Sequence, residues 1–312
     1  MITALAGGVG AARLLRGLIR VVPPEDVTVV INTGDDTVLH GLHISPDIDT
    51  VTYTLAGRND EQRGWGLVGE TWHAMGGLEE LGGEAWFRLG DRDLATHLYR
   101  TQRLSEGATL SLVTAEVARA LGVAARLLPM SDQPVRTRLQ LDSGEEIAFQ
   151  EYFVRRRHDV AVSAVRFDGA SVARPAPGVL AAIEEADMVV ICPSNPVLSI
   201  GPLLALAGVE EALRRRRPQV VAVSPIVAGE ALKGPAGRLL VELGEESSVV
   251  GVARRYRHLA ATLVADESDA VSAPGVEGLG MACVLTPAVM HGLDEAVALA
   301  KVVLDAGRRG IR

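Results

Sequence analysis

Short apolar runs alternate with longer amphipathic stretches along most of this chain, and that alternation constrains the fold more than any other feature. Met1–Ala6, Val27–Asn32, Asp187–Cys192, Gln219–Ser224, Ser248–Ala253, Ala261–Ala265 and Ala282–Leu285 each read as a short buried strand. Between them lie helical patterns at Ala11–Val22, Gly178–Ala186, Pro202–Arg216, Gly237–Leu243 and Ala288–Ala306. A strand with no polar face must be covered on both sides, and strands separated by helices can run parallel. The expectation is an α/β fold: a mostly parallel sheet with helices on both faces.

The middle of the chain breaks the alternation. Arg92–Glu106 and Thr114–Leu121 read as helices. Val135–Leu141, the turn Ser143-Gly144 and Ile147–Val154 read as an antiparallel hairpin, and Val160–Phe167 with Ala170–Ala173 as a second, turning at Asp168-Gly169. We therefore expect residues 1–57 and 178–312 to form the core, with 58–177 inserted as a smaller α+β subdomain.

Charge and composition remove several function classes. The 312 residues carry 31 basic and 39 acidic side chains, a net charge of −8, which argues against a non-specific nucleic-acid binder. All the basic residues but Lys233 and Lys301 are arginine, and the runs Arg155–Arg157 and Arg214–Arg217 read as solvated faces or helix ends. Cys192 and Cys283 are the only cysteines, too few for a disulfide framework or a four-ligand zinc site. No apolar stretch approaches the ~20 residues of a membrane span, and the chain opens on a strand-like run without a secretory pattern. We expect a soluble, cytoplasmic protein with no membrane partner.

Parallel sheets bind ligands beyond the carboxyl ends of their strands. The first strand is followed by Gly7-Gly8-Val9-Gly10-Ala11-Ala12-Arg13, where glycines let backbone N–H groups approach a phosphate at a helix N-terminus. It is neither a full dinucleotide fingerprint, since Arg13 takes the third glycine position, nor a Walker loop. After the second strand come Asn32-Thr33-Gly34-Asp35-Asp36 and then Pro46-Asp47-Ile48-Asp49-Thr50. Four carboxylates without an intervening lysine or arginine suit a hard cation such as Mg²⁺; the bland reading is a pair of Asx turns and helix caps. Pro193-Ser194-Asn195-Pro196, Ser199-Ile200-Gly201-Pro202 and Ser224–Gly229, with Lys233 beyond, offer small polar side chains for phosphate or ribose, or rigid turns. Gly90–His97 places Asp91 or Asp93 as helix caps and Arg92 and His97 as ligand-facing groups, and Trp65 and Trp72 read as a wall for a planar ligand or as core.

Taken together these segments resemble the 2-phospho-L-lactate transferase family of coenzyme F-420 biosynthesis, which includes the phosphoenolpyruvate transferases of actinobacteria. The resemblance lies in Ala6–Arg13 (AGGVGAAR), Asn32–Asp36 (NTGDD), His40-Gly41, Pro46–Thr50 (PDIDT), Tyr53–Leu55, Arg63–Gly66 (RGWG), Glu70–Trp72 (ETW), Leu89–His97 (LGDRDLATH), Leu128–Asp132 (LPMSD), Pro193–Pro202 (PSNPVLSIGP) and Ser224–Gly229 (SPIVAG), in family order. Past about residue 235 it is looser, and Thr286-Pro287 stands where the family has threonine followed by an acid.

The resemblance implies a Rossmann-like core and a transfer reaction. A guanylylated three-carbon phospho-acid, derived from 2-phospholactate, phosphoenolpyruvate or 3-phosphoglycerate, is joined to the deazaflavin alcohol FO, and GMP leaves. It implies Mg²⁺ on Asp35 and Asp49, with Asp36 or Asp47 supporting them or accepting a proton. It implies substrate contacts from Gly8, Gly10, Arg13, Asn32, His40, Ser194, Asn195, Ser199 and Ser224, with Asp93, Thr96 and His97 near FO. A homodimer and a functional link to the guanylyltransferase that makes the donor are further expectations from the family. Two other readings compete. A non-catalytic nucleotide-sugar regulator of the same fold would share the glycine loop, but not Pro46–Thr50 or Leu89–His97. A nicotinamide-dependent dehydrogenase is disfavoured by Arg13 and by Asn32 at the strand end.

Overall fold

The structure, a computed structural model, describes residues 1–231 and 234–310. Seven strands form its central sheet: β1 (Ile2–Ala6), β2 (Val27–Ile31), β3 (Arg126–Pro129), β4 (Met188–Ile191), β5 (Val220–Val223), β6 (Thr262–Asp266) and β7 (Ala282–Thr286). Their spatial order is β7-β6-β5-β4-β1-β2-β3, with every neighbouring pair parallel. This is the Rossmann order with one strand added, and it reverses direction between β1 and β4. The expected mostly parallel α/β sheet is what the chain forms.

Alternating side chains feed two apolar layers. Ala4 and Ala6 of β1 lie against helix α1 (Gly8–Leu18), helix α2 (Pro46–Leu55) and the C-terminal helix Leu293–Gly310, while Leu5 joins the core on the opposite face. That second face is covered by helices Val179–Glu185, Val209–Arg215 and Ala236–Glu242 and by a small antiparallel sheet.

Several expectations change. Ser248–Ala253 is no strand: Ser248 accepts a hydrogen bond from Gly251 N and caps the helix Val249–Tyr256. The apolar run there is the buried stripe of a short helix, which periodicity alone does not separate from a buried strand. Pro202–Arg216 divides into Gly201–Leu204 and Val209–Arg215, with Gly208 at φ 85 opening the second. In the middle segment Arg136–Leu141 sits between Glu146–Ala148 and Val162–Asp168, so the second strand pairs back to the first hairpin and Ala170–Ala173 forms no strand. Glu151–Arg155 is a π-helical turn that buries Tyr152 where the hairpin strand was expected to continue. Within the stretch 58–177 read as an insertion, β3 is an edge strand of the central sheet, paired with β2.

Most arginines of the two runs have partners. Arg214 and Arg215 pair with Glu210 and Glu184, Arg216 and Arg217 donate to backbone carbonyls, and Arg156 holds Glu145 and Glu151. No described helix is long and apolar enough to cross a membrane.

Candidate active site

The chain crosses from β1 into α1 with almost no loop. Gly7 is the extended residue before the helix and Gly8, at φ +73, is its first residue. The segment read as a phosphate loop is thus the first turn of α1, at the point where the strand order reverses. Two of its N–H groups already have partners. Gly7 N donates to Ser194 Oγ (3.2 Å), and Gly8 N donates to Asp47 Oδ1 (2.8 Å). Asn32, at the end of β2, donates from Nδ2 to Asp47 Oδ2 (2.9 Å) and accepts from Gly34 N (2.8 Å). A side chain at Gly7 would meet Asp47 Oδ2 and Ser199 Cβ at 2.7 Å, so glycine is required for the close approach.

The Gly34–Asp36 turn is held from the small sheet, where Thr137 N donates to Gly34 O (2.9 Å) and Gln150 Nε2 to Asp35 O (2.8 Å). Asp35 is 6% exposed, and its Oδ1 has no hydrogen-bond partner among the described residues; neither do Asp36 Oδ1 and Thr33 Oγ1. Burial, reinforced by the negative charge of Asp47, pushes the Asp35 carboxyl well above the ordinary carboxylate range. Burial pushes Asp36 up to about 7, partly offset by a hydrogen bond from Ser45 Oγ (2.8 Å), and Asp47 up to about 6. Thr33, Asp35 and Asp36 therefore each keep one buried oxygen unpartnered, where negative charge is costly. Oxygen donors of this kind suit a hard cation such as Mg²⁺.

Asp49, expected to share the metal with Asp35, is engaged elsewhere. Both of its oxygens bind the guanidinium of Arg100, which is 2% exposed. Arg100 lies on the helix α3 (Asp93–Ser105), and on the same helix His97 stands between Asp93 (Nε2 to Oδ2, 3.3 Å) and Asp49 (Nδ1 to Oδ2, 3.7 Å). Tyr53 Oη donates to Asp93 Oδ1 (2.6 Å) and lies 2.7 Å from Thr96 Oγ1. Asp49, Asp93 and His97 are close enough to one another to hold a metal, but Arg100 supplies the positive charge there.

The remaining candidates divide. Gly10 packs beneath the Pro193 carbonyl, and Ser194 and Ser199 lie at the glycine turn. Arg13 donates to Met290 O (2.9 Å), tying α1 to the loop before the C-terminal helix. His40, with Gly41, forms the exposed tip of the hairpin Thr37–Leu39/Leu42–Ile44. Asn195 Oδ1 accepts from Val197 N and Leu198 N, and Ser224 Oγ bonds Ile226, so both side chains build their own turns. Lys233 lies outside the described residues. Asp91 caps the helix His73–Glu80 and Glu70 caps α3 through Arg92 N and Asp93 N, so the Glu70–Trp72 and Leu89–His97 motifs lock one another. Trp65 and Trp72 meet edge to face, with the Arg63 guanidinium over both rings at 5.5 and 5.1 Å. Sequence reasoning missed Arg100, Ser45, Thr137 and Gln150, and gave Tyr53 a place in a motif but no role.

A parallel sheet in Rossmann order, with a glycine turn and an unsatisfied carboxylate cluster at its reversal point, defines a Rossmann-like α/β protein that gathers its polar chemistry at the carboxyl edge. Comparison places it further: the chain belongs to the 2-phospho-L-lactate transferase CofD family, whose model matches residues 2–274. A phosphoenolpyruvate transferase of Streptomyces griseus is 44% identical over 97% of each chain, and a 2-phospho-L-lactate transferase of Methanothermobacter thermautotrophicus 41% identical over 97% of each. These alignments carry the relationship through the segment after residue 235. A crystal structure of a UPF0052-family protein from Bacillus halodurans superposes with a TM-score of 0.63 at 16% identity, covering 97% of this chain and 98% of that one, and shares the fold.

Proposed function

We propose that this chain joins a three-carbon phospho-acid to the deazaflavin FO in coenzyme F-420 biosynthesis, taking the acid from its guanylylated form and releasing GMP. The terminal ribityl hydroxyl of FO attacks the phosphorus that bears the acid. An O–P bond forms, the bond from that phosphorus to the bridging oxygen breaks, and the bridging oxygen leaves with GMP. The names of the relatives support a phospho-acid; FO and the guanylylated donor follow from the family resemblance.

The observation that carries the proposal is the group of buried, unpartnered oxygens at Thr33, Asp35 and Asp36. Mg²⁺ held by Asp35 would neutralise the diphosphate of the donor and favour departure of GMP. Asp36, pushed up to about 7, is matched to receive the hydroxyl proton near neutral pH. Asp49 serves the site through Arg100, fixing α3 and with it Asp93, Thr96 and His97. Gln150 and Thr137 fix the backbone from which Asp35 and Asp36 project.

The test is a product assay by mass spectrometry. The protein is mixed with FO, Mg²⁺ and a donor formed in place from GTP, a guanylyltransferase and one phospho-acid at a time. An FO phosphodiester with matching GMP, lost on chelation, is the expected result and names the acid. No product from any acid, with FO intact and donor present, would replace this reading with that of a nucleotide-sugar regulator.

A further inference from the structure

In a Rossmann-like fold the first glycine turn is the natural seat for a phosphate, because free N–H groups and the dipole of the following helix converge there. In this chain the Gly7 and Gly8 N–H groups of that seat are taken. The Asp47 carboxylate accepts from Gly8 N with one oxygen and from Asn32 Nδ2 with the other, lies against Gly7, and is buried. Asn32 in turn accepts from Gly34 N, one residue before Asp35.

We propose that Asp47 is a positioning residue: its carboxylate occupies the anion seat of α1 and, through Asn32, sets the backbone that aims Asp35. The glycine turn is then an internal clamp and not a phosphate loop. On the transferase reading, on which this last step rests, the donor diphosphate binds outward of the turn, beside Asp35.

Three features separate this role from that of an ordinary helix cap. Asp47 lies 39 residues from the turn it bonds, on a different helix. Its second oxygen goes to the residue that orders the acid-bearing loop. Every polar atom of the Asn32 carboxamide is committed, so Asn32 cannot rotate to accommodate a neutral amide at position 47. Exchanging the two residues together keeps the hydrogen bonds from Gly8 N and Gly34 N and the one between positions 32 and 47, which neither single substitution does, but gives up the one from Asn32 to Asp35.

The experiment needs neither FO nor donor. Inorganic phosphate is titrated, by calorimetry and phosphorus NMR, into the full-length wild type, Asp47→Ala, Asp47→Asn and the exchanged pair Asn32→Asp/Asp47→Asn. Vacating the seat in Asp47→Ala should create a phosphate site at least about tenfold tighter than any in the wild type. The exchanged pair, still filling the seat, should gain none. If Asp47→Ala does not fold, Asp47→Ser vacates most of the same space and is read the same way. Thermal unfolding with Mg²⁺ gives a second reading: Asp47→Asn should lose most of the Mg²⁺-induced shift, and the exchanged pair, which gives up the Asn32–Asp35 hydrogen bond, should regain part of it. Equal phosphate affinity in the wild type and the vacated variant would overturn the proposal, as would an exchanged pair no better than Asp47→Asn. Failure of the transfer reaction in the product assay would overturn the transferase reading and leave the phosphate and Mg²⁺ measurements on Asp47 untouched, so the two ideas fail separately.

Discussion

Asp35 bears two opposed demands, and a single substitution separates them. Its carboxyl is pushed upward chiefly by burial, so the folded chain holds its negative charge at a cost unless a cation is bound. Asp35→Asn removes that charge in nearly the same volume. In chelator the variant should melt at or above the wild-type temperature, while turnover should fall by more than about a hundredfold, since groups one step removed from a metal already cost 10–100-fold. Differential scanning fluorimetry and the product assay check the two halves, and undiminished Mg²⁺-dependent turnover would remove Asp35 from the metal. Arg100 should behave in the opposite way. Arg100→Ala leaves Asp49 buried without a counter-charge, a loss of about 3–5 kcal/mol in urea unfolding, whereas Arg100→Met with Asp49→Leu should restore most of it. The density of acids after β2 is legible because those residues are adjacent in sequence. The pair that takes Asp49 out of that group spans 51 residues and leaves no local mark. One signal was available: Asp93, His97 and Arg100 fall at i, i+4 and i+7, one face of a helix whose first two members already drew attention. Asn195 and Ser224 show the converse, with small polar residues of the right type for a ligand spent on their own turns.

Elements were legible where period and length agree. Six of the seven central strands stand out as apolar runs, whereas β3 is four residues long, begins with an exposed arginine and ends in proline, which reads as a helix-to-loop passage. Its membership depends on parallel pairing with β2, a non-local fact. Helix seams are equally silent in sequence. Gly17 lies inside α1, where alanine would ordinarily stabilise by about 1 kcal/mol. Here a Cβ would stand 2.2 Å from the Ala296 carbonyl oxygen of the C-terminal helix, so the backbones must separate. Gly17→Ala should therefore destabilise by about 1–3 kcal/mol. Chemical denaturation measures the sign directly, and a stabilised variant would show that the two helices can slide apart freely.

At the scale of the molecule, the sheet reverses between β1 and β4, and the small antiparallel sheet reaches over β2 to hold the acid-bearing turn, so the site joins parts of the chain more than 100 residues apart. Distant elements thus share the cost of one charged cluster, and stability should report on it through pH. Asp47 and Asp36 titrate near 6 and 7 in the folded chain but near 4 when unfolded. Between about pH 4 and 7 the native state therefore holds protons that the unfolded chain has released, and the contribution of these groups to stability falls as pH rises across that window. Mg²⁺ acts on the other side of the same balance. It must displace protons from the Asp35 and Asp36 carboxyls, both of which burial pushes upward, so its stabilisation should grow as pH rises. Melting curves from pH 5.5 to 8, with chelator and with excess Mg²⁺, should diverge toward the alkaline end, and Asp35→Asn should close most of the gap. Curves that stay parallel across the range would mean that the cluster binds no cation, and would leave its buried charge to be explained by the substrate alone.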